Sequence, residues 1–167
     1  MLAKLHLSLE HAKWLEDVRK IPCELAAEMG VVSKGANIAF EFRQHGVPAF
    51  VKVRREIMEN GESSKTFWIE PKGSALCLWN EDCLSEPSEA PLVITEGEFD
   101  ALSMLAAGAT HAVSVPNGAA LDKHGEGEIV PTEDAGFRYL WDGGSLSPGL
   151  KAFNKIILAT DDDHKGR

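Results

Sequence analysis

The sequence is short of the features that would settle its class at once. Its 167 residues hold only three cysteines, Cys23, Cys77 and Cys83, and no two form a CxxC pair. That odd, scattered set excludes a disulfide framework and is expected to be reduced thiols acting as small, semi-buried hydrophobes. No cysteine and histidine cluster has zinc-finger spacing. No apolar run approaches the roughly 20 residues of a membrane span, and the opening "MLAKLHLSLEHAKWLEDV" places acids where a signal peptide would be apolar. A cytoplasmic protein with no membrane partner is expected. A phosphate-binding loop is missing too. In "ENGESSKT" Ser64, not glycine, precedes Lys65, so consecutive backbone N–H groups cannot wrap a phosphate in the required way. The stretch reads as a hairpin loop. There is also no basic excess, since the net charge is −9. Residues 1–90 hold 11 Lys and Arg against 14 Asp and Glu, and residues 91–167 hold 6 against 12. A metal-binding site would concentrate acid in this way while being neutral when working, so the overall charge does not exclude a nucleic-acid partner.

What is present is enough apolar residue, 44%, to bury a core in one domain or two small ones. "SLEHAKWLEDVRK" has Ser8 as an N-cap and Leu9, Ala12, Leu15 and Val18 at helical spacing. "PCELAAEMGV" predicts a second short helix, with Pro22 in its first turn and Gly30 at its end. The period then changes to two. "NIAFEFRQHGVPAFVKVRR" predicts a hairpin with Ile38, Phe40 and Phe42 on one face of its first strand and Val47, Ala49, Val51 and Val53 on one face of its second. The other face of the second strand, which carries the aromatic Phe50 and the cations Lys52 and Arg54, is expected to point away from the core. It is either a solvated sheet face or a surface for a nucleotide or single strand. "FWIEPKGSALCLWN" predicts short strands in which Trp68 and Trp79 pack, with Lys72 on a Pro-Lys-Gly turn. The Ser-, Pro- and Glu-rich "LSEPSEAP" reads as a linker at 86–90 between a small α+β domain, 1–85, and a second domain, 91–167.

The second domain carries the chemistry. "LVIT" is a short continuous apolar run of the kind buried on both faces of a parallel sheet. "FDALSMLAAG" follows with Phe99, Leu102, Leu105 and Ala106 at helical spacing and Gly108 as a stop, and "HAVSVP" is a second strand. This is a βαβ unit, and ligands of such sheets bind outside the carboxyl ends of the strands. Glu96 stands at one such end and Asn117-Gly118 at the next. "KIILAT" is a third strand, followed by Asp161, Asp162 and Asp163. In an extended segment Asp161 and Asp163 point the same way. Two carboxylates about 4 Å apart repel by roughly 4 kcal/mol at an effective dielectric of about 20, a cost that a hard divalent cation removes. An acidic exposed loop is the alternative. His164 is expected to be solvated, Glu98 to have a supporting or surface role, and the Gly-rich stretch between the second and third strands to hold a short helix near Asp134 to Trp141.

"VITEGEFDAL", "SVPNGA" and "ILATDDDHKGR", in that order, resemble the TOPRIM domain, whose signature is a strand-end glutamate followed by a DxD at another strand end. More narrowly the chain resembles the bacteriophage and mitochondrial Twinkle type of primase–helicase, in which a basic strand-rich subdomain precedes TOPRIM. The resemblance implies an α/β fold with a parallel sheet flanked by helices, incomplete at the C-terminus of this chain, preceded by the small α+β subdomain. It implies Mg²⁺- or Mn²⁺-dependent synthesis of short RNA primers from nucleoside triphosphates on single-stranded DNA, with a helicase domain or protein as partner. Carried onto this chain, Asp161 and Asp163 bind the metal, Glu96 is a ligand or general base, and Asp100 supports the site directly or through water. Gly97 and Gly118 let backbone approach phosphate. Lys52, Arg54, Arg55, Lys72, Asn117 and Arg167 are candidates for nucleotide or DNA. The missing zinc module puts start-site recognition by this chain alone in question. Since TOPRIM is shared with other enzymes, a nuclease using the same acids with water, or a non-catalytic module binding single-stranded DNA or a helicase, is the rival reading. A topoisomerase would need a nucleophilic tyrosine, and Tyr139, the one tyrosine, lies in the Gly-rich insertion.

Overall fold

Residues 7–59, 62–117, 138–142 and 145–161 are described by the computed structural model, which divides into two units, Met1–Ala75 and Leu76–Arg167. The division falls ahead of the Ser/Pro/Glu-rich stretch read as a linker. Leu78, Trp79 and Leu84 are the reason, because all three are buried core residues of the second unit.

The first unit begins with helix α1, Leu9–Trp14, capped as expected by the Ser8 hydroxyl, which accepts the His11 N–H at 3.2 Å. The chain then widens into a π-helical turn, Leu15–Arg19, that ends on Lys20 in the left-handed region. The wider turn breaks the simple period. Of the expected apolar stripe Leu15 is fully buried, whereas Leu9 and Val18 are exposed. Helix α2, Cys23–Glu28, follows with Pro22 as its N-cap. Gly30, at φ +76°, turns the chain into the sheet, and a Cβ there would lie 3.1 Å from the Glu41 Cβ. Only glycine suits both the angle and the close approach.

Four antiparallel strands form the sheet in chain order: β1 (Val31–Lys34), β2 (Asn37–Gln44), β3 (Val47–Glu59) and β4 (Glu62–Glu70). The hairpin between β2 and β3 is present, but its faces differ from expectation. The register sets Phe42 opposite Phe50, Phe40 opposite Lys52 and Ile38 opposite Arg54. Directly paired residues share a face, so Phe50, Lys52 and Arg54 belong to the aromatic side and not to an outward one. Phe42 and Phe50 stack with centroids 4.3 Å apart, and Phe50 and Lys52 are both buried. A register shift between Phe42 and Arg43 leaves Val47 opposite Gln44 and exposed. Val32, Ala39 and Val53 pack on the other face with Val51, so β2 and the middle of β3 are buried on both sides, while Phe67 and Trp68 of β4 stay exposed. "ENGESSKT" is mostly strand: β3 and β4 stay paired out to Glu59 and Glu62. On β4, Trp68 donates to Glu70 Oε1 at 2.6 Å, and Glu70 also pairs with Lys34 of β1. Lys34 first, then Trp68, holds the Glu70 carboxyl below the usual range.

In the second unit three parallel strands are ordered β6 (His111–Ser114), β5 (Leu92–Thr95), β9 (Ile156–Ala159). These are the three runs expected to be parallel. Helix α3, Glu98–Ala106, connects β5 to β6 and buries Glu98, Phe99, Ala101 and Leu102; Ala106, expected on that face, is exposed. Gly108 at φ +98° follows its end. The core gathers Leu78, Leu84, Leu92, Val113, Leu150 and Phe153. Trp79 is fully buried and forms a single bridge with Ser114, so it packs as expected. The insertion shows a 3₁₀ turn at Arg138–Leu140, a small hairpin of β7 (Trp141–Asp142) and β8 (Ser145–Leu146), and helix α4, Pro148–Lys151. The expected helix near Asp134 to Trp141 is met by that 3₁₀ turn within the described residues. Among those residues no helix is long and apolar enough to cross a membrane.

Candidate metal and nucleotide site

Parallel pairing brings the carboxyl ends of β5 and β9 to one edge, with Thr95 opposite Ala159. Glu96 follows Thr95 directly, and Asp161 stands two residues beyond β9. The Asp161 backbone N–H donates to Glu96 Oε1 at 3.0 Å, so two acids 65 positions apart in sequence meet at this edge. The glutamate is thereby oriented by the main chain that carries the aspartates. Below it, Thr95 Oγ1 reaches the carbonyls of Gly97 at 3.0 Å and Val113 at 3.3 Å. That buried hydroxyl ties the turn after β5 to the neighbouring strand.

Gly97 is the N-cap of α3 and has ordinary extended angles, φ −123° and ψ 148°. Its requirement for glycine is spatial: a Cβ would sit 2.5 Å from Asp100 Oδ2. Asp100 therefore folds its carboxylate back over the backbone that follows Glu96. Glu98, allowed a surface role by the sequence, is only 4% exposed. A carboxylate in the first turn of a helix is favoured by the partial positive charge there, and the alternation of directions along the loop gave no sign of its burial.

Asn117 is described and exposed after β6. Asp163, His164, Gly118 and Arg167 lie outside the described residues. Of the cationic candidates, Lys52 is buried, Arg54 half-buried, and Arg55 and Lys72 exposed, all in the first unit. The Lys52 ammonium lies 5.0 Å and the Arg54 guanidinium 6.0 Å from the Phe67 ring centroid. Phe67 is 49% exposed. It is the aromatic that these cations attend, a role the sequence reading gave to Phe50. The register gives it this place, because Phe67 pairs directly with Arg54 across β3 and β4.

The donor set Glu96, Asp100, Asp161 is all carboxylate oxygen, which suits Mg²⁺ or Mn²⁺ and not a soft metal. Gly97 leaves the turn beside it without a side chain. Glu96, Asp100 and Asp161 do not draw within 4.8 Å of one another as a trio; among the described residues the group that does is Glu16, Cys23 and Glu24 in the first unit. There the hydrogen bond to Glu16, with burial and Glu24 adding, pushes the Cys23 thiol up to about 11. A protonated thiol is a poor metal ligand. Burial likewise pushes Cys77 and Cys83 up to about 12, and all three cysteines are free.

No protein-family model matches the chain. A protein of Arabidopsis thaliana named "Primase homolog protein" is 33% identical over 132 residues, covering 78% of this chain and 35% of that protein. "Twinkle homolog protein, chloroplastic/mitochondrial", also of Arabidopsis thaliana, is 33% identical over 132 residues, covering 78% of this chain and 16% of that protein. The chain thus spans about a third of one relative and about a sixth of the other. Over most of its own length, it is similar to proteins of the primase and Twinkle type.

Proposed function

We propose that this chain carries the nucleotidyl-transfer unit of a TOPRIM primase of the Twinkle type, making short RNA primers on single-stranded DNA with Mg²⁺ or Mn²⁺. The observation that carries the reading is the meeting of Glu96 and Asp161 at the carboxyl edge of a parallel sheet, where such sheets bind ligands. The names of its relatives support it.

Glu96, Asp161 and Asp163 would hold the metal, with Asp100 supporting them. When bound, the ion would lower the pKa of the attacking 3′-hydroxyl and stabilise the attacking and leaving oxygens. Glu96 orients through the Asp161 amide and is the candidate to take the hydroxyl proton. Gly97 and Gly118 give phosphates access to backbone, and Asn117 and Arg167 contact them. Lys52, Arg54, Arg55 and Lys72 hold the template strand or triphosphate. A helicase, on the same protein or another, is the proposed partner.

The test is to incubate the chain with single-stranded template, labelled ribonucleotides and Mn²⁺, beside Asp161→Asn and an Asp161→Asn, Asp163→Asn double variant. Short labelled products from wild type, lost in the variants together with calorimetric Mn²⁺ binding, are expected. Template degradation without synthesis would make the chain a nuclease. Equal product or metal binding in wild type and variants would remove the acids from the chemistry.

A further inference from the structure

The first unit contains a cavity of about 200 Å³ lined by Glu10, His11, Trp14, Ala36, Ile38 and Arg54. It is smaller than the roughly 300 Å³ at which pockets begin to take drug-sized ligands, and it is the size for one planar ring system.

Its position follows from the register. Ser33, Ile38, Arg54 and Phe67 lie opposite one another on successive strands, so they form one row across one face. Helix α1 is fastened over the Ser33 end of this row. The Ser33 hydroxyl accepts the Ser8 N–H at 2.7 Å and lies 2.7 Å from His11 Nδ1. Glu10, His11 and Trp14 thereby form one wall, buried Ile38 lies within the lining, and Arg54 stands opposite. Arg19 packs over the Trp14 ring at 5.6 Å and steadies it. On the far side of Arg54, Phe67 continues the row, about 5 Å away at one strand spacing, with half its surface open.

We propose that this cavity is a nucleobase pocket, with Phe67 a second stacking surface beside it. The inference rests on the reading that the first unit holds template or nucleotide. Unstacked bases are recognised by aromatic faces together with hydrogen bonds to their edges, and the cavity offers both. Arg54 can only donate and Glu10, ionised, can only accept. Guanine matches that pair, since it presents the acceptors O6 and N7 and the donor amine N2. Guanine sets its N1–H beside the N2 amine, two donors for one carboxylate, whereas thymine offers only its single N3–H. The base comes either from a strand or from a free nucleoside triphosphate.

The experiment measures binding of labelled single strands, thymine-only or containing guanine, and competition by GTP. Wild type is expected to bind guanine-containing strands about tenfold more tightly, within the range of a good paired base contact. Trp14→Ala should weaken binding about fivefold or more, and Trp14→Phe should recover most of it. Glu10→Gln, an isosteric change at an exposed position, should erase the guanine preference and leave Mn²⁺ binding and the melting temperature intact. GTP competing at lower concentration than a guanine-containing trinucleotide would assign the pocket to a free nucleotide, and the reverse order to a strand base. Wild-type behaviour of either Trp14→Ala or Glu10→Gln overturns the pocket; if an Arg55→Ala, Lys72→Ala double variant, at cations outside the cavity lining, still loses strand binding, the nucleic-acid reading survives without it. Failure of wild type to bind strands or GTP overturns both.

Discussion

Replacing Gly97 by alanine isolates the contribution of Asp100 to the acidic edge. At φ −123° and ψ 148° alanine meets no backbone strain, and the whole conflict is a Cβ placed 2.5 Å from Asp100 Oδ2. The backbone cannot yield easily, because the Asp100 and Ala101 N–H groups both bond to the Gly97 carbonyl at 3.1 Å. The carboxylate has to rotate away instead. Alanine is a poorer N-cap than glycine by up to about 1 kcal/mol, while removing a glycine from the unfolded chain restores about 0.4–1 kcal/mol. Net stability should therefore change by less than about 1 kcal/mol, a melting shift below about 8 °C for a unit of this size. Displacing a supporting carboxylate should cost metal affinity about 10- to 100-fold. The assay is Mn²⁺ titration of wild type, Gly97→Ala, Asp100→Ala and the double variant. If Gly97 acts through Asp100, its substitution costs nothing more once the carboxylate is gone. Unchanged Mn²⁺ affinity in Gly97→Ala, or an equal additional loss in the Asp100→Ala background, would refute the reasoning.

Two further substitutions probe the scaffold. Gly30→Ala combines a positive φ with a Cβ 3.1 Å from Glu41 Cβ, whereas Gly35, at φ +61°, has nothing within 4 Å; Gly30→Ala should cost about 1–2 kcal/mol or more and Gly35→Ala less, with thermal melts giving the order. Burial holds Cys77 and Cys83 protonated up to about pH 12, so neither should react with a thiol reagent at pH 8 until the chain is unfolded. Their folded values are raised, so their contribution to stability is complete below the unfolded thiol value near 8.5 and is lost as pH rises toward 12. A Cys77→Ala, Cys83→Ala variant should show a shallower alkaline fall in melting temperature than wild type, and an identical slope would contradict the assignment.

The parallel sheet was legible because its strands are short continuous apolar runs, "LVIT", "HAVS" and "IILA"; β5 and β6 are buried as such runs imply, whereas Ile157 and Leu158 of β9 are exposed. Once they are parallel, Glu96 and Asp161 share an edge by topology alone, and no side-chain detail is needed to bring them together. The first unit was less legible where one residue decides a face. A strand has period two, so the shift between Phe42 and Arg43 changes which residues lie opposite one another. Alternating apolar residues on both β2 and β3 fit either pairing. The π-helical turn at Leu15–Arg19 has the same effect on a helix, moving Val18 from the expected stripe to solvent. Neither irregularity has a residue signature of its own, and both fall in the unit that holds the candidate cations Lys52, Arg54, Arg55 and Lys72. The sequence could name Lys52 and Arg54, but only the register puts Arg54 between Phe67 and the Trp14 cavity. Hence the two halves of the proposed chemistry are legible to different degrees: the acids are fixed by strand order, and the base-holding face is fixed by the bulge and the wide helical turn beside it.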